Sequence, residues 1–125
     1  MVPNYLAIAV GGAIGACFRY LLSEWMLLLC GRSFPFGTLL VNILGAFAIG
    51  VLYGLLVSEQ IAPTPWRIFI GIGVLGAFTT FSTFSLDTLL LLQQGEVIKA
   101  SANVLLNVCL CITLTWCGLK LGTLK

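Results

Sequence analysis

Hydrophobic residues run along this chain in four long stretches, over residues 4–30, 36–57, 66–93 and 97–122. Short polar or proline-bearing segments separate them, and the second holds Glu59, Pro63 and Pro65. About 20 apolar residues cross a bilayer as a helix. The pattern therefore predicts an all-α membrane protein with four transmembrane helices in a single integral membrane domain, residues 1–125. Pro3 and Asn4 suit the start of the first helix, while Trp66 and Arg67 suit an interfacial start for the third.

The third stretch is irregular. Residues 71–87 read GIGVLGAFTTFSTFSLD, with Gly71, Gly73 and Gly76 ahead of a hydroxyl run interleaved with Phe81 and Phe84. Glycine costs a helix about 1 kcal/mol relative to alanine, and β-branched threonine adds a smaller penalty. Irregular backbone at membrane depth is tolerated only where protein buries it or it lines a wet cavity. The pattern predicts a break near the middle of span 3, over residues 76–80, with the function beside it.

The other spans carry few polar residues. In span 1, Gly11 and Gly15 form a GxxxG pair, a pattern that lets helices approach closely in lipid. Arg19 lies at depth in the same span, where an arginine costs about 2.5–3.5 kcal/mol on insertion scales. Either it snorkels to the interface or it faces a wet vestibule and biases it toward anions. In span 2, Gly45, Ala46, Gly50 and Gly54 make a small-residue face, and Asn42 is the strongly polar side chain. Asn42 either bonds a neighbouring helix, worth about 0.6 kcal/mol on average, or turns its N–H groups to a permeation path. In span 4, Asn103, Asn107, Cys111 and Thr115 fall on one helical face. A polar stripe in an apolar span faces protein or water, not lipid.

Composition narrows the class. Sixty per cent of the 125 residues are hydrophobic and 8% charged, with a mean hydropathy of +1.13. Soluble domains are about one quarter charged. The net charge of +2 is too small to suggest a nucleic-acid partner. Histidine is absent, which removes the usual proton shuttle and commonest metal ligand. The five cysteines match no zinc or disulfide framework and read as small buried hydrophobes. No positive charge precedes the first apolar run, so it reads as a span and not as a cleaved signal peptide. Four spans put both termini on one side. That side holds Arg67, Lys120 and Lys125; the other holds Arg32 and Lys99. Orientation follows the Lys/Arg asymmetry of short loops, and this asymmetry is too weak to fix one.

Phe81 and Phe84 lie three apart, so a helix sets their rings on one face. An aromatic ring is positive at its edge, so ring edges can meet an anion, and neighbouring hydroxyls and amides can donate to it. None of these groups is charged, which suits the weak, multiple sites that conduction needs. The same two rings would also serve as packing at a helix crossing.

Three blocks, GGAIGACFRY at 11–20, GTLLVNILGAFAIG at 37–50 and GVLGAFTTFSTFSLD at 73–87, resemble the Fluc (CrcB) family of fluoride channels. The resemblance covers spans 1 to 3 well and span 4 loosely. It implies an antiparallel, dual-topology homodimer with two fluoride pores in the bacterial inner membrane. It implies that Asn42, Phe81 and Phe84 line the pore, with Ser82 and Thr83 beside it. It implies that the backbone carbonyls of Gly76 and Thr79, from both subunits, hold a structural sodium ion. Arg19 matches the arginine of the span 1 motif. Two positions depart from the family pattern. Asn103 and Asn107 stand where many relatives carry tyrosine and serine, and Asp87 stands where glutamate is frequent.

A small dual-topology exporter of drugs or cations is the alternative of similar length. Such exporters rely on an acid deep in span 1, whereas Glu24, the acid here, lies toward the loop. No nucleophile–base set points to an enzyme.

Overall fold

A computed structural model describes residues 2–124, without the side chain of Val2; Lys125, counted in the charge balance, lies outside the described residues. Every regular element among them is helical. Helix α1 spans Val2–Cys30 and α2 spans Phe36–Val57. A short α3, Pro63–Trp66, runs into a π-helical segment, Arg67–Leu75, and then into one turn of α4, Gly76–Phe78. Helix α5 covers Phe81–Gln93 and α6 covers Val97–Gly122. Four of these helical stretches are long and apolar enough to cross a membrane: Pro3–Cys30, Phe36–Val57, Pro63–Gln93 and Val97–Thr123. The chain is a multi-pass membrane protein.

The third span begins at Pro63, three residues ahead of the expected Trp66. Proline fits a first helical turn because its missing N–H has no intrahelical partner there. Span 1 likewise starts slightly before Asn4. Gly31 and Gly95 follow the ends of spans 1 and 3 with φ of +77° and +79°, the left-handed geometry that glycine adopts without steric cost.

The break is real and narrower than residues 76–80. Gly76 to Phe78 stay helical. Thr79 (φ −84°, ψ 159°) and Thr80 (φ −150°, ψ 120°) are extended. Two consecutive β-branched residues suit extended backbone, and Thr80 then caps α5 by accepting the Thr83 N–H at 3.2 Å, the usual service of a threonine at a helix N-terminus. The glycines act earlier than the break. Gly71 and Gly73 fall in the π-helical segment, and Gly73 is buried against α1.

The break also redirects the span. Ahead of it, the π-helical segment and α4 pack on α1; beyond it, α5 packs on α6. The GxxxG pair of span 1 seats the first half. A Cβ on Gly11 would stand 2.6 Å from the Phe69 carbonyl oxygen, and one on Gly15 would strike that of Val74. The most extensive contact joins α2 to α6. There Gly50 and Gly54 of one helix face Gly118 and Gly122 of the other, backbone against backbone.

The cysteines depart from the expected burial. All five are free; Cys17, Cys30 and Cys109 are exposed, and Cys111 and Cys117 are half-buried. The three exposed ones sit on a chain whose exterior is itself apolar, where a small hydrophobe needs no core, and Cys111 borders the groove described below.

Candidate functional site

A groove of about 530 Å³ runs beside the break. Asn42, Gly76, Thr79, Thr80, Phe81 and Phe84 lie along it, with the span 4 residues Asn107, Cys111 and Thr115 on its far side. Most of the residues predicted from sequence to carry function are thus brought to one place. Ser82 and Thr83 stand at the start of α5 but not on the groove wall. They remain tied to it through Thr80, whose hydroxyl donates to Thr83 Oγ1 at 3.1 Å and lies 3.3 Å from Ser82 Oγ.

The two phenylalanines differ in surroundings. Their ring centroids are 5.5 Å apart and tilted by 59°. Phe84 is 8% exposed, whereas Phe81 is 78% exposed. Within one chain, then, Phe84 is anchored and Phe81 projects.

Asn42 closes the break. Its Oδ1 accepts the Thr80 N–H at 2.8 Å, and its Nδ2 donates to the Thr80 carbonyl at 3.1 Å. The second Nδ2 hydrogen goes to Asn107 Oδ1 at 3.0 Å. A backbone N–H can only donate, so this pairing fixes the orientation of the amide. Both sequence readings of Asn42 thus meet here: it stands on the groove wall, but its two amide hydrogens bond protein.

In an unbroken helix the N–H of Thr80 would close on the Gly76 carbonyl, and that of Thr83 on the Thr79 carbonyl. Here the first goes to Asn42 and the second to the Thr80 hydroxyl. The break takes the helical donors from four carbonyls, Gly76 to Thr79; of these residues, Gly76 and Thr79 border the groove. The Leu75 carbonyl keeps two donors, the N–H and hydroxyl of Thr79, at 3.1 and 3.0 Å.

Arg19 turns toward the broken span. It is half-buried, and its Nε donates to the Ala77 carbonyl at 3.0 Å, two residues ahead of the break. It satisfies a carbonyl whose helical donor would lie past the extended residues. Two other contacts were not legible from sequence. Thr38 Oγ1 donates to Asp87 Oδ2 at 2.8 Å, joining spans 2 and 3. Asn107 joins Asn42 across 65 positions of sequence; the i, i+4 spacing of Asn103 and Asn107 marked the stripe but not its partner.

An uncharged, mostly apolar groove carrying a few amides and hydroxyls beside a broken span, in a protein otherwise clothed in hydrocarbon, defines a membrane protein built to pass a small solute. Comparison with known proteins gives the family. The CrcB family (CrcB-like protein, camphor resistance) matches residues 6–119. The fluoride-specific ion channel FluC of Pseudoalteromonas translucida is 60% identical over 114 residues, covering 91% of this chain and 95% of the relative. The FluC proteins of Shewanella amazonensis (57% over 118 residues, 94% of each chain) and Vibrio parahaemolyticus (56% over 114 residues, 91% of this chain and 90% of the relative) are similar. The chain belongs to the CrcB family.

Proposed function

We propose that the protein is a passive, fluoride-selective channel that lets fluoride leave the cytoplasm across the bacterial inner membrane and so limits its toxicity. The observation that carries this reading is the lining of the groove: paired phenylalanine rings and neutral hydrogen-bonding groups, with no fixed charge among them. Ring edges and hydroxyls attract a small anion without holding it. The names of relatives from several bacteria support the same substrate. With Asn42 bonded to Thr80 and Asn107, the rings of Phe81 and Phe84 are the groups on the groove that meet the ion, and the hydroxyls of Ser82 and Thr83 stand beside its path. A channel makes and breaks no covalent bond, so the protein is not an enzyme. The exporter alternative lacks support: Glu24 lies beside the first loop, at a shallow cavity with Arg32 and Asp87, and not on the groove. The test is efflux from liposomes holding the purified protein. Fluoride should escape and chloride should be retained; a chloride flux equal to that of fluoride would rule the reading out.

The working unit is an antiparallel homodimer embedded in membrane lipid. The groove is open along one side of a single chain, Phe81 projects from it, and the charges of the loops favour neither orientation. Two breaks meeting at the dimer axis would offer the Gly76 and Thr79 carbonyls of both subunits to one sodium ion. Support for their fit comes from the lost helical donors together with the place of both residues beside the groove. Sodium would neutralise converging carbonyl dipoles; it would not be transported. One preparation tests both points. The purified protein should elute as a dimer that keeps a single sodium ion after exchange into sodium-free buffer, and termini should be labelled from both sides of the membrane. Termini on one side alone would remove the antiparallel arrangement; a sodium flux coupled to fluoride would remove the structural ion.

A further inference from the structure

The polar stripe of span 4 has no assigned task, and its hydrogen bonds give it one. Asn107 Nδ2 donates to the Asn103 carbonyl at 2.8 Å and to Asn103 Oδ1 at 3.0 Å. Asn103 Nδ2 donates to Thr88 Oγ1 at 2.9 Å, and the Thr88 hydroxyl donates to the Phe84 carbonyl at 2.8 Å. Added to the bonds of Asn42, this makes one circuit. It leaves span 3 at the Thr80 backbone, crosses to Asn42 on α2, passes to Asn107 and Asn103 on α6, and returns to span 3 at Thr88, one turn beyond Phe84. The short segment bearing both phenylalanines is therefore held at Thr80 by Asn42 and, through Thr88, by Asn103, two members of one chain of amides.

Each link has a fixed direction. The Thr80 N–H can only donate and the Asn103 carbonyl can only accept, so the orientations of Asn42 and Asn107 follow, and that of Asn103 after them. Asn103 is 0% exposed and Asn107 5% exposed. Among the described residues no buried side-chain nitrogen or oxygen lacks a partner. Asn107 borders the groove, but its Nδ2 already has two acceptors and little left to offer a passing ion, and Asn103 does not reach the groove wall.

We infer that Asn107 and Asn103 are positioning residues: they hold Asn42, and through it the Thr80 break and the Phe81–Phe84 pair, in the conducting geometry. The role in conduction rests on the fluoride reading; the structural coupling does not. The test uses the full-length protein in micelles and liposomes, as wild type, Asn42→Ala, Asn107→Ala and the double variant. Removing Asn107 strands the second Asn42 hydrogen and loosens its grip on Thr80. A buried donor left without a partner is costly, so exchange of the Thr80 amide should quicken about tenfold, while the Gly50 amide, at the α2–α6 crossing, keeps its wild-type rate. Fluoride efflux per dimer should fall by about the same factor. The double variant should be no slower than Asn42→Ala alone, because the two residues act in series. Asn103→Ser leaves Asn107 one of its two acceptors and should move both readouts in the same direction by less.

An Asn107→Ala protein with lost efflux and an unchanged Thr80 amide would make Asn107 an ion contact and overturn the inference. Losses that multiply in the double variant would overturn it as well. Should the wild type carry no fluoride, the channel reading fails, and the amide measurement still decides whether the circuit holds the break.

Discussion

Isoleucine in place of Phe81 or Phe84 should leave a folded dimer that has lost most of its fluoride flux. The swap keeps much of the apolar bulk and removes the ring, with its positive edge. The surroundings of the two rings make the test sharper than the sequence could. Phe84 is buried, and a nearly volume-conserving change in a core usually costs less than about 1.5 kcal/mol. Phe81 is mostly exposed within one chain, so its replacement should cost the monomer fold very little. If packing were the only role, Phe84→Ile would lower stability modestly, Phe81→Ile would lower it hardly at all, and both would conduct. If ring edges meet the anion, both lose flux despite their unequal burial. Methionine should retain part of the flux, since its polarizable sulfur and flexible chain adapt to the site. Efflux normalised to dimer content by gel filtration decides this. Wild-type flux in both isoleucine variants would move the pore away from the rings.

Valine at both Gly50 and Gly118 should abolish the folded protein. A Cβ at Gly50 would collide with the Thr115 carbonyl, and one at Gly118 with that of Phe47. The obstacle is backbone in both cases, so no side-chain rotation relieves it and the two helices must separate. In lipid, close packing of this kind is what holds helices together. Single Gly→Ala changes at these positions should each destabilise by about 1–3 kcal/mol, as overpacking does, despite the gain of up to about 1 kcal/mol in helix propensity. Gly12 supplies the control: the nearest atom to a Cβ there is the Gly73 carbonyl oxygen, at 4.0 Å. Gly12→Ala should therefore be neutral or mildly stabilising. Thermal unfolding in detergent, followed by loss of dimer, measures all four. A Gly118→Ala protein as stable as Gly12→Ala would show that the helices tolerate separation.

The placement of Arg19 fits the same picture of a break held from several sides. Span 1 contributes a guanidinium to the Ala77 carbonyl, span 2 an amide to Thr80, and span 4 the amides behind it. The cost of bending a helix within a membrane lies in its freed backbone groups. Here three different spans supply partners, while the carbonyls of Gly76 and Thr79, on residues that border the groove, take none of these side chains.

Much was legible in the order of residues. Four apolar stretches of bilayer length and their short connections follow from hydropathy alone, because burying charge in hydrocarbon is so costly that the pattern admits few alternatives. The glycines and the threonine pair also marked the broken span, since local propensity there opposes a straight helix. What each polar side chain does was not legible. Arg19 could be read as snorkelling or as lining a vestibule, and its bond to the Ala77 carbonyl beside the break was not foreseen. Asn42 could be read as packing glue or as pore lining, and it is the clamp on Thr80 at the edge of the groove. The span 4 asparagines were visible as a stripe without a partner. Periodicity tells which face of a helix a residue occupies; it carries no information about which distant helix that face meets. Only the packing of α2 on α6, and the transfer of span 3 from α1 to α6 at its break, brings Asn42, Asn103, Asn107 and Thr80 within hydrogen-bonding reach. Those bonds decide which carbonyls and hydroxyls remain free to meet an ion.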